Sequence, residues 1–232
     1  MQLSSVHALM IDLDGTMVDT MADFEAALNL ALADIDLPKV SPAVVNIAVG
    51  KGSEHLVRTV LQHQLALPEV QASGLVCDST VVDTYYEPAF QRYQHHYGRV
   101  NGQHAQVYAG VLDGLKAFQT RGLPMACLTN KPTAFAKDLL VRKGLDSFFG
   151  HVFGGDAFSR KKPDPMPLLE TCKALGTLPA HTLMLGDSQN DAQAARAAVC
   201  PVVLVTYGYN HGEPIRGVNC DGFIDSFTEL RL

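Results

Sequence analysis

Two carboxylates one residue apart, Asp12 and Asp14, close the short apolar run Val6-His7-Ala8-Leu9-Met10-Ile11 and precede Gly15-Thr16. An apolar run of that length, ended by charge and glycine, predicts a buried parallel strand that stops at a site. Two acids in such a place repel each other and resist desolvation. They need a cation, or one of them must hold a proton. Either requirement is chemical, and the remainder of the chain has to supply a fold that meets it.

Downstream, Thr20 is a candidate N-cap, with Asp23 three residues on and Phe24, Ala27, Leu28, Ala31, Leu32 and Ile35 at helical spacing. Leu37-Pro38 ends that helix, and Ser41-Pro42 opens the next. Gly50-Lys51-Gly52 interrupts it, Leu56, Val57, Val60 and Leu61 mark a third helix, and Ser79 to Tyr97 reads as a fourth, with Pro88 as a point of bending. Residues 20–97 are thus expected to be wholly helical. Afterwards the pattern changes. Val107 to Gly122 reads as a helix, Pro124 to Leu128 as a strand ending at Thr129-Asn130, and Pro132 to Lys143 as a helix closed by Gly144. A strand at His151-Val152-Phe153 ends at Gly154-Gly155-Asp156, a helix covers 166–174, and Thr182 to Leu185 ends at Gly186-Asp187. A last helix over 192–198 and a strand at Val202 to Val205 follow.

Strand, polar residues, helix, repeated, predicts an α/β fold built on a doubly wound parallel sheet. The helical block is too long for a crossover, so a core of residues 1–19 and 98–232 is expected, with 20–97 inserted as a helical cap. Right-handed crossovers put every parallel strand's C-terminal end on one edge, where open α/β sheets bind ligands. Asp12, Asp14, Thr129, Asn130, Asp156 and Asp187 are therefore expected to converge there.

The formal net charge of −6 argues against nucleic acid or an anionic membrane as the main partner. No apolar run nears the roughly 20 residues of a bilayer span, and Met1-Gln2-Leu3-Ser4-Ser5 has no signal-peptide character. Five scattered cysteines, without a Cys-x-x-Cys pair, read as reduced thiols of a cytoplasmic protein.

The ordered set Asp12-Leu13-Asp14-Gly15-Thr16, Leu128-Thr129-Asn130, Lys161-Lys162-Pro163-Asp164-Pro165 and Gly186-Asp187-Ser188-Gln189-Asn190-Asp191 resembles the haloacid dehalogenase-like superfamily. That resemblance implies a Rossmann-like core and a Mg²⁺-dependent phosphatase working through an aspartyl-phosphate. Asp12 is then the nucleophile, and Asp14 the general acid and later base. Asp12, Asp187 and the Asp14 carbonyl would ligate the metal, with Asp191 orienting the metal's waters. Thr129, Asn130 and Lys162 would hold phosphate. Taken singly, Thr129 and Asn130 read equally well as caps of the following helix, Lys162 as a solvated loop lysine, Asp187 as an N-cap and Asp156 as a turn residue. The family context favours the site for all but Asn130 and Asp156, which stay open.

Val49-Gly50-Lys51-Gly52, Leu128 to Pro132, Gly155-Asp156, Lys162 to Pro165 and Thr206 to Pro214 are similar to the phosphoglycolate phosphatases. That implies 2-phosphoglycolate, a small phosphorylated metabolite, as substrate. Gly50, Lys51, Gly52 and Arg58 are the cap residues expected to read it, with a flexible turn and a solvated lysine as the alternative. Val199 departs from the pattern, since relatives end that helix with Gly. A β-phosphoglucomutase-like sugar-phosphate mutase shares all four motifs, and a phospho-accepting signalling module shares the acids but needs no cap. Asp14 speaks against a dehalogenase or a phosphonate hydrolase, and the missing Gly-x-Gly-x-x-Gly against a dinucleotide-binding domain.

Overall fold

A computed structural model describes residues 5–72 and 77–231. Met1 to Ser4, read above for signal-peptide character, lie outside the described residues. The first strand, β1 (Ala8–Ile11), is buried at all four residues. Its burial follows from its neighbours. A short two-residue strand, β2 (Val18–Asp19), is followed by α1 (Met21–Ala33), α2 (Pro42–Ala48), α3 (Ser53–Leu65), α4 (Pro68–Gln71) and α5 (Ser79–Val100). The chain returns through β3 (Gln106–Val107) and then alternates: α6 (Val111–Thr120), β4 (Met125–Leu128), α7 (Thr133–Arg142), β5 (His151–Phe153) and α8 (Met166–Leu175). It closes with β6 (Thr182–Gly186), α9 (Gln189–Ala197), β7 (Val202–Val205) and β8 (Gly222–Ile224).

Six strands form one parallel sheet in the order β5-β4-β1-β6-β7-β8. Leu9 stands opposite Met125 on one side and Leu183 on the other, which leaves β1 no open edge. Period-two alternation then divides the core. Leu9, Ile11, Leu183, Leu185, Val203 and Val205 pack with Leu115 and Phe118 of α6 and Leu139 and Leu140 of α7. Met10, Met184, Val202 and Leu204 pack on the opposite face with Leu168 of α8 and Ala194 and Ala195 of α9. Helices on both faces of a parallel sheet are the doubly wound α/β fold.

The five helices before β3 build their own apolar cluster. Phe24, Leu28 and Leu32 of α1 meet Leu56, Val57, Val60 and Leu61 of α3 and Val82, Ala89, Tyr93 and Tyr97 of α5. Asp78 caps α5 through Val81 N–H at 2.9 Å, and α5 runs unbroken through Pro88 for 22 residues. It ends at Val100, past the expected Tyr97. Two departures from the sequence reading lie at the stem of this layer. Val107 belongs to β3, paired antiparallel with Val18, and not to a helix. The buried Asp23 carboxylate, placed above only as a first-turn acid, accepts from Gly102 N–H at 2.6 Å and His104 N–H at 2.7 Å. Those bonds tie the start of α1 to the returning strand. β2, β3 and β8 are too short to show a period, which is why the sequence pattern does not reveal them.

Val199 explains its own departure. It follows α9 with φ 58°, while Val199 N–H bonds Arg196 O and Cys200 N–H bonds Ala195 O. This is a Schellman ending, whose left-handed position favours glycine. A β-branched side chain there is strained.

No helix of the described residues is long and apolar enough to cross a membrane.

Candidate active site

The C-terminal ends of β1, β4 and β6 bring Asp12, Thr129 and Asp187 to one edge of the sheet, and Lys162 reaches them from the loop before α8. Lys162 Nζ lies 3.1 Å from Asp12 Oδ1 and 2.7 Å from Asp191 Oδ1, and it donates to Leu128 O at 2.8 Å. The Asp12 contact is made at an angle that leaves its buried Oδ1 without a hydrogen bond. Burial opposes the lysine's charge, but Asp12 and Asp191 outweigh it and hold the ammonium above its ordinary value. The same burial pushes the Asp12 carboxyl up to about 6, against the pull of Lys162. Asp187 is driven well above the carboxylate range, first by burial and then by Asp191 and Asp12.

Asp187 is fixed by Thr16 Oγ1–H at 3.0 Å and by Tyr209 N–H at 2.6 Å. Asp191 completes a capping box at the start of α9, where Oδ2 accepts from Ser188 N–H and from Ser188 Oγ–H at 2.7 Å. Gly15 takes φ 83°, and a Cβ there would stand 2.1 Å from Asp187 Oδ2. The glycine of the opening motif is therefore required by close approach as well as by backbone conformation.

Carboxylate oxygens of Asp12, Asp187 and Asp191 all lie within 4.8 Å of one another, and all three residues are buried. Three buried acids, when ionised, outnumber the one ammonium among them and leave a deficit of positive charge. Hard oxygen donors of this kind fit a divalent cation such as Mg²⁺. The residues present therefore fit the ion that their pattern implies.

Asp14 has a lysine partner of its own. Its Oδ1 accepts from Lys131 Nζ at 2.8 Å, and Lys131 also donates to Tyr97 OH on α5. Lys131 stands in the quoted Leu128 to Pro132 stretch, yet sequence reasoning did not single it out, and the fold places it on the candidate site. Thr129 is buried with its N–H spent on Phe153 O, so only its hydroxyl is left to serve a ligand. The Asn130 side chain is committed to the chain itself. Both N–H bonds of its side-chain amide go to carbonyls, Gly50 O at 3.0 Å and Lys162 O at 2.8 Å. The amide therefore fastens the Gly50 loop to the core and has no N–H left for phosphate. Asn190 reaches the same Gly50 carbonyl at 3.2 Å. Asp156 resolves as structural: its Oδ1 accepts from Thr133 N–H at 2.8 Å and from the Thr133 hydroxyl, closing the start of α7.

Asp12, Asp14, Thr129, Asn130 and Lys131 line one face of a cavity of about 30 Å³, and Phe24, Val49, Gly50, Gly52, Ser53, Leu56, Tyr93 and Tyr97 line the other. Gly50 and Gly52 are where the sequence places them. Lys51 is not on the lining. Its charge lies beside His55 and His211, whose imidazoles are held below their ordinary value by burial and then by Lys51. Arg58 is farther from the role expected of it: it pairs with Asp83 at 2.6 Å and stacks over Tyr86 at 3.9 Å, on an exposed part of the helical layer.

The model of the haloacid dehalogenase-like hydrolases matches residues 9–205, and the chain belongs to that family. The chain is 38% identical over 227 residues to a phosphoglycolate phosphatase of Thiobacillus denitrificans, covering 98% of this chain and 95% of that one. It is 37% identical to a phosphoglycolate phosphatase of Nitrosospira multiformis, covering 97% and 93%. A crystal structure of a predicted phosphoglycolate phosphatase from Haemophilus somnus superposes with a TM-score of 0.88 at 30% identity, over 97% of this chain and 96% of that one.

Proposed function

We propose that this chain is a divalent-metal-dependent phosphomonoesterase that converts 2-phosphoglycolate to glycolate and inorganic phosphate. Residues 20–97 act as a cap on the core formed by 1–19 and 98–232. The observation that supports this best is the division of the opening acids between two ammonium groups: Asp12 beside Lys162 at 3.1 Å, Asp14 against Lys131 at 2.8 Å. Two carboxylates a residue apart, each with its own ammonium partner, can then take different tasks.

An Asp12 oxygen attacks phosphorus while the bond from phosphorus to the ester oxygen breaks, and Asp14 delivers its proton to the departing oxygen. Asp14, now a carboxylate, takes a proton from water as that water attacks the aspartyl-phosphate. The phosphorus bond to Asp12 breaks, and its electron pair returns to the Asp12 carboxylate. Lys162 and the Thr129 hydroxyl bind and orient the phosphoryl oxygens. Asp12 and Asp187 would hold Mg²⁺, with Asp191 keeping Lys162 and Ser188 in place. When bound, the ion neutralises phosphate charge that would otherwise repel Asp12.

The mutase reading is disfavoured by the walls. Phe24, Val49 and Leu56 offer no partner to the several hydroxyls of a sugar phosphate, which leaves Ser53, Tyr93 and Tyr97 as the side-chain hydroxyls of that wall to pair them. The test is phosphate release from a panel of small esters with Mg²⁺ and with chelator, together with acid trapping of a phosphoenzyme. Magnesium-dependent, multiple-turnover release that favours phosphoglycolate is expected. Isomer interconversion without net release, or a single turnover, would refute it.

A further inference from the structure

The hydrolytic steps leave one side of the cavity without a task. Among the described residues that line it, Lys131 supplies the positive charge. Its side chain is 2% exposed, and its ammonium sits 4.7 Å from the ring centres of Phe24 and of Tyr97. Asp14 and Tyr97 engage two of its N–H bonds, which leaves one for a ligand. Next to it, Tyr93 stacks on Tyr97 at 5.4 Å. The Tyr93 hydroxyl is wholly buried and lies beside Ser53, yet makes no hydrogen bond of normal geometry. Burial keeps that phenol protonated, and its loose contact with Ser53 leaves it able to donate to a ligand.

An orphaned buried hydroxyl is costly unless a ligand satisfies it, and a desolvated ammonium attracts a second anion strongly. We propose that Lys131 and Tyr93 form the subsite for the substrate's carboxylate and thereby set specificity. The phosphoryl end then meets Asp12, Thr129 and Lys162 on the sheet side, and the carboxylate meets Lys131 and Tyr93 beneath the helices. Phe24, Val49 and Leu56 leave the Ser53 hydroxyl as the polar side chain between them. This assignment rests on the phosphatase reading above and moves the task expected of Lys51 and Arg58 to residues that line the cavity.

The experiment compares kcat/KM for 2-phosphoglycolate and for 2-hydroxyethyl phosphate, which lacks the carboxylate at similar size. In the unmodified chain the ratio favours phosphoglycolate. Lys131→Met is expected to lower that ratio about 10²-fold, mostly through KM, and Tyr93→Phe about 10-fold. Lys51→Ala is expected to leave the ratio within about 2-fold. If Lys131 only orients Asp14, both esters lose rate together and the ratio stays constant, which overturns the subsite. A ratio lost through Lys51→Ala overturns it equally. Should Lys131→Met fail to fold, Tyr93→Phe decides, since it removes a single oxygen and keeps the buried ring. If the unmodified chain releases phosphate from neither ester, the phosphatase reading itself falls, a result distinct from an unchanged ratio.

Discussion

The sheet edge and the helical layer above it are held together by different forces. At the edge, Asp187, Asp191 and Lys162 are fixed by hydrogen bonds and ion pairs to Thr16, Tyr209, Ser188 and Leu128. The helices meet through Phe24, Leu28, Leu61, Tyr93 and Tyr97, an apolar interior with few polar bonds. Directional bonds fix atoms to within a fraction of an ångström, while apolar burial fixes area and volume. The charged groups of the edge are therefore held in place by the chain's own bonds. The helices supply shape, and through Tyr93 and Tyr97 a few well-placed hydroxyls.

The largest test of that division is Asp12→Asn. It should lower kcat/KM for every ester by about 10⁴-fold or more and abolish the acid-trapped phosphoenzyme, with thermal unfolding showing a folded chain. Asp14→Asn should cost about 10² to 10⁴-fold, more for alkyl than for aryl phosphates, whose better leaving group needs the proton less. Equal losses across leaving groups would remove Asp14 as the acid. In the helical layer, Leu61→Ala should cost about 2–5 kcal/mol of stability in denaturant unfolding yet leave kcat per folded molecule within a few-fold. A collapse of kcat would show the layer's interior to be part of the chemical machinery.

Smaller effects sharpen the comparison at the edge. The Thr133 hydroxyl and N–H hold the Asp156 carboxyl below its ordinary value, so its ionised form favours the folded state. Asp156→Ala should cost about 1 kcal/mol at pH 7. The gap to the unmodified chain should close as pH falls below about 4 and through the depressed value. Val199→Gly, outside both regions, should raise stability by about 1 kcal/mol by relieving the left-handed valine, read as a higher melting temperature with unchanged kcat.

The main strands were legible because a buried parallel strand is apolar along its length and the site residues interrupt it at its end. Ala8 to Ile11, Met125 to Leu128 and Leu183 to Leu185 each show this. Asp12, Thr129, Lys162 and Asp187 were legible for the same reason, through motifs at those ends. Lys131, Tyr93 and Tyr97 were not, because their meeting depends on how α5 docks against the loop after β4. Lys51 and Arg58 had suitable chemistry but unsuitable geometry, since charge type is written in the sequence and direction is not. Asn130 carried an amide that fits a phosphate or a carbonyl equally well, and only the fold decides between them.

The carbonyl of Gly50 receives the amides of both Asn130 and Asn190. Each of those residues adjoins a residue of the charged edge, Thr129 and Asp191. One oxygen thus carries two fasteners between the helical layer and the sheet edge, beside the separate Lys131–Tyr97 and Lys161–Glu54 bonds. A displacement of that one carbonyl strains both amides together, so the Gly50 loop and the two strand ends share a single adjustment.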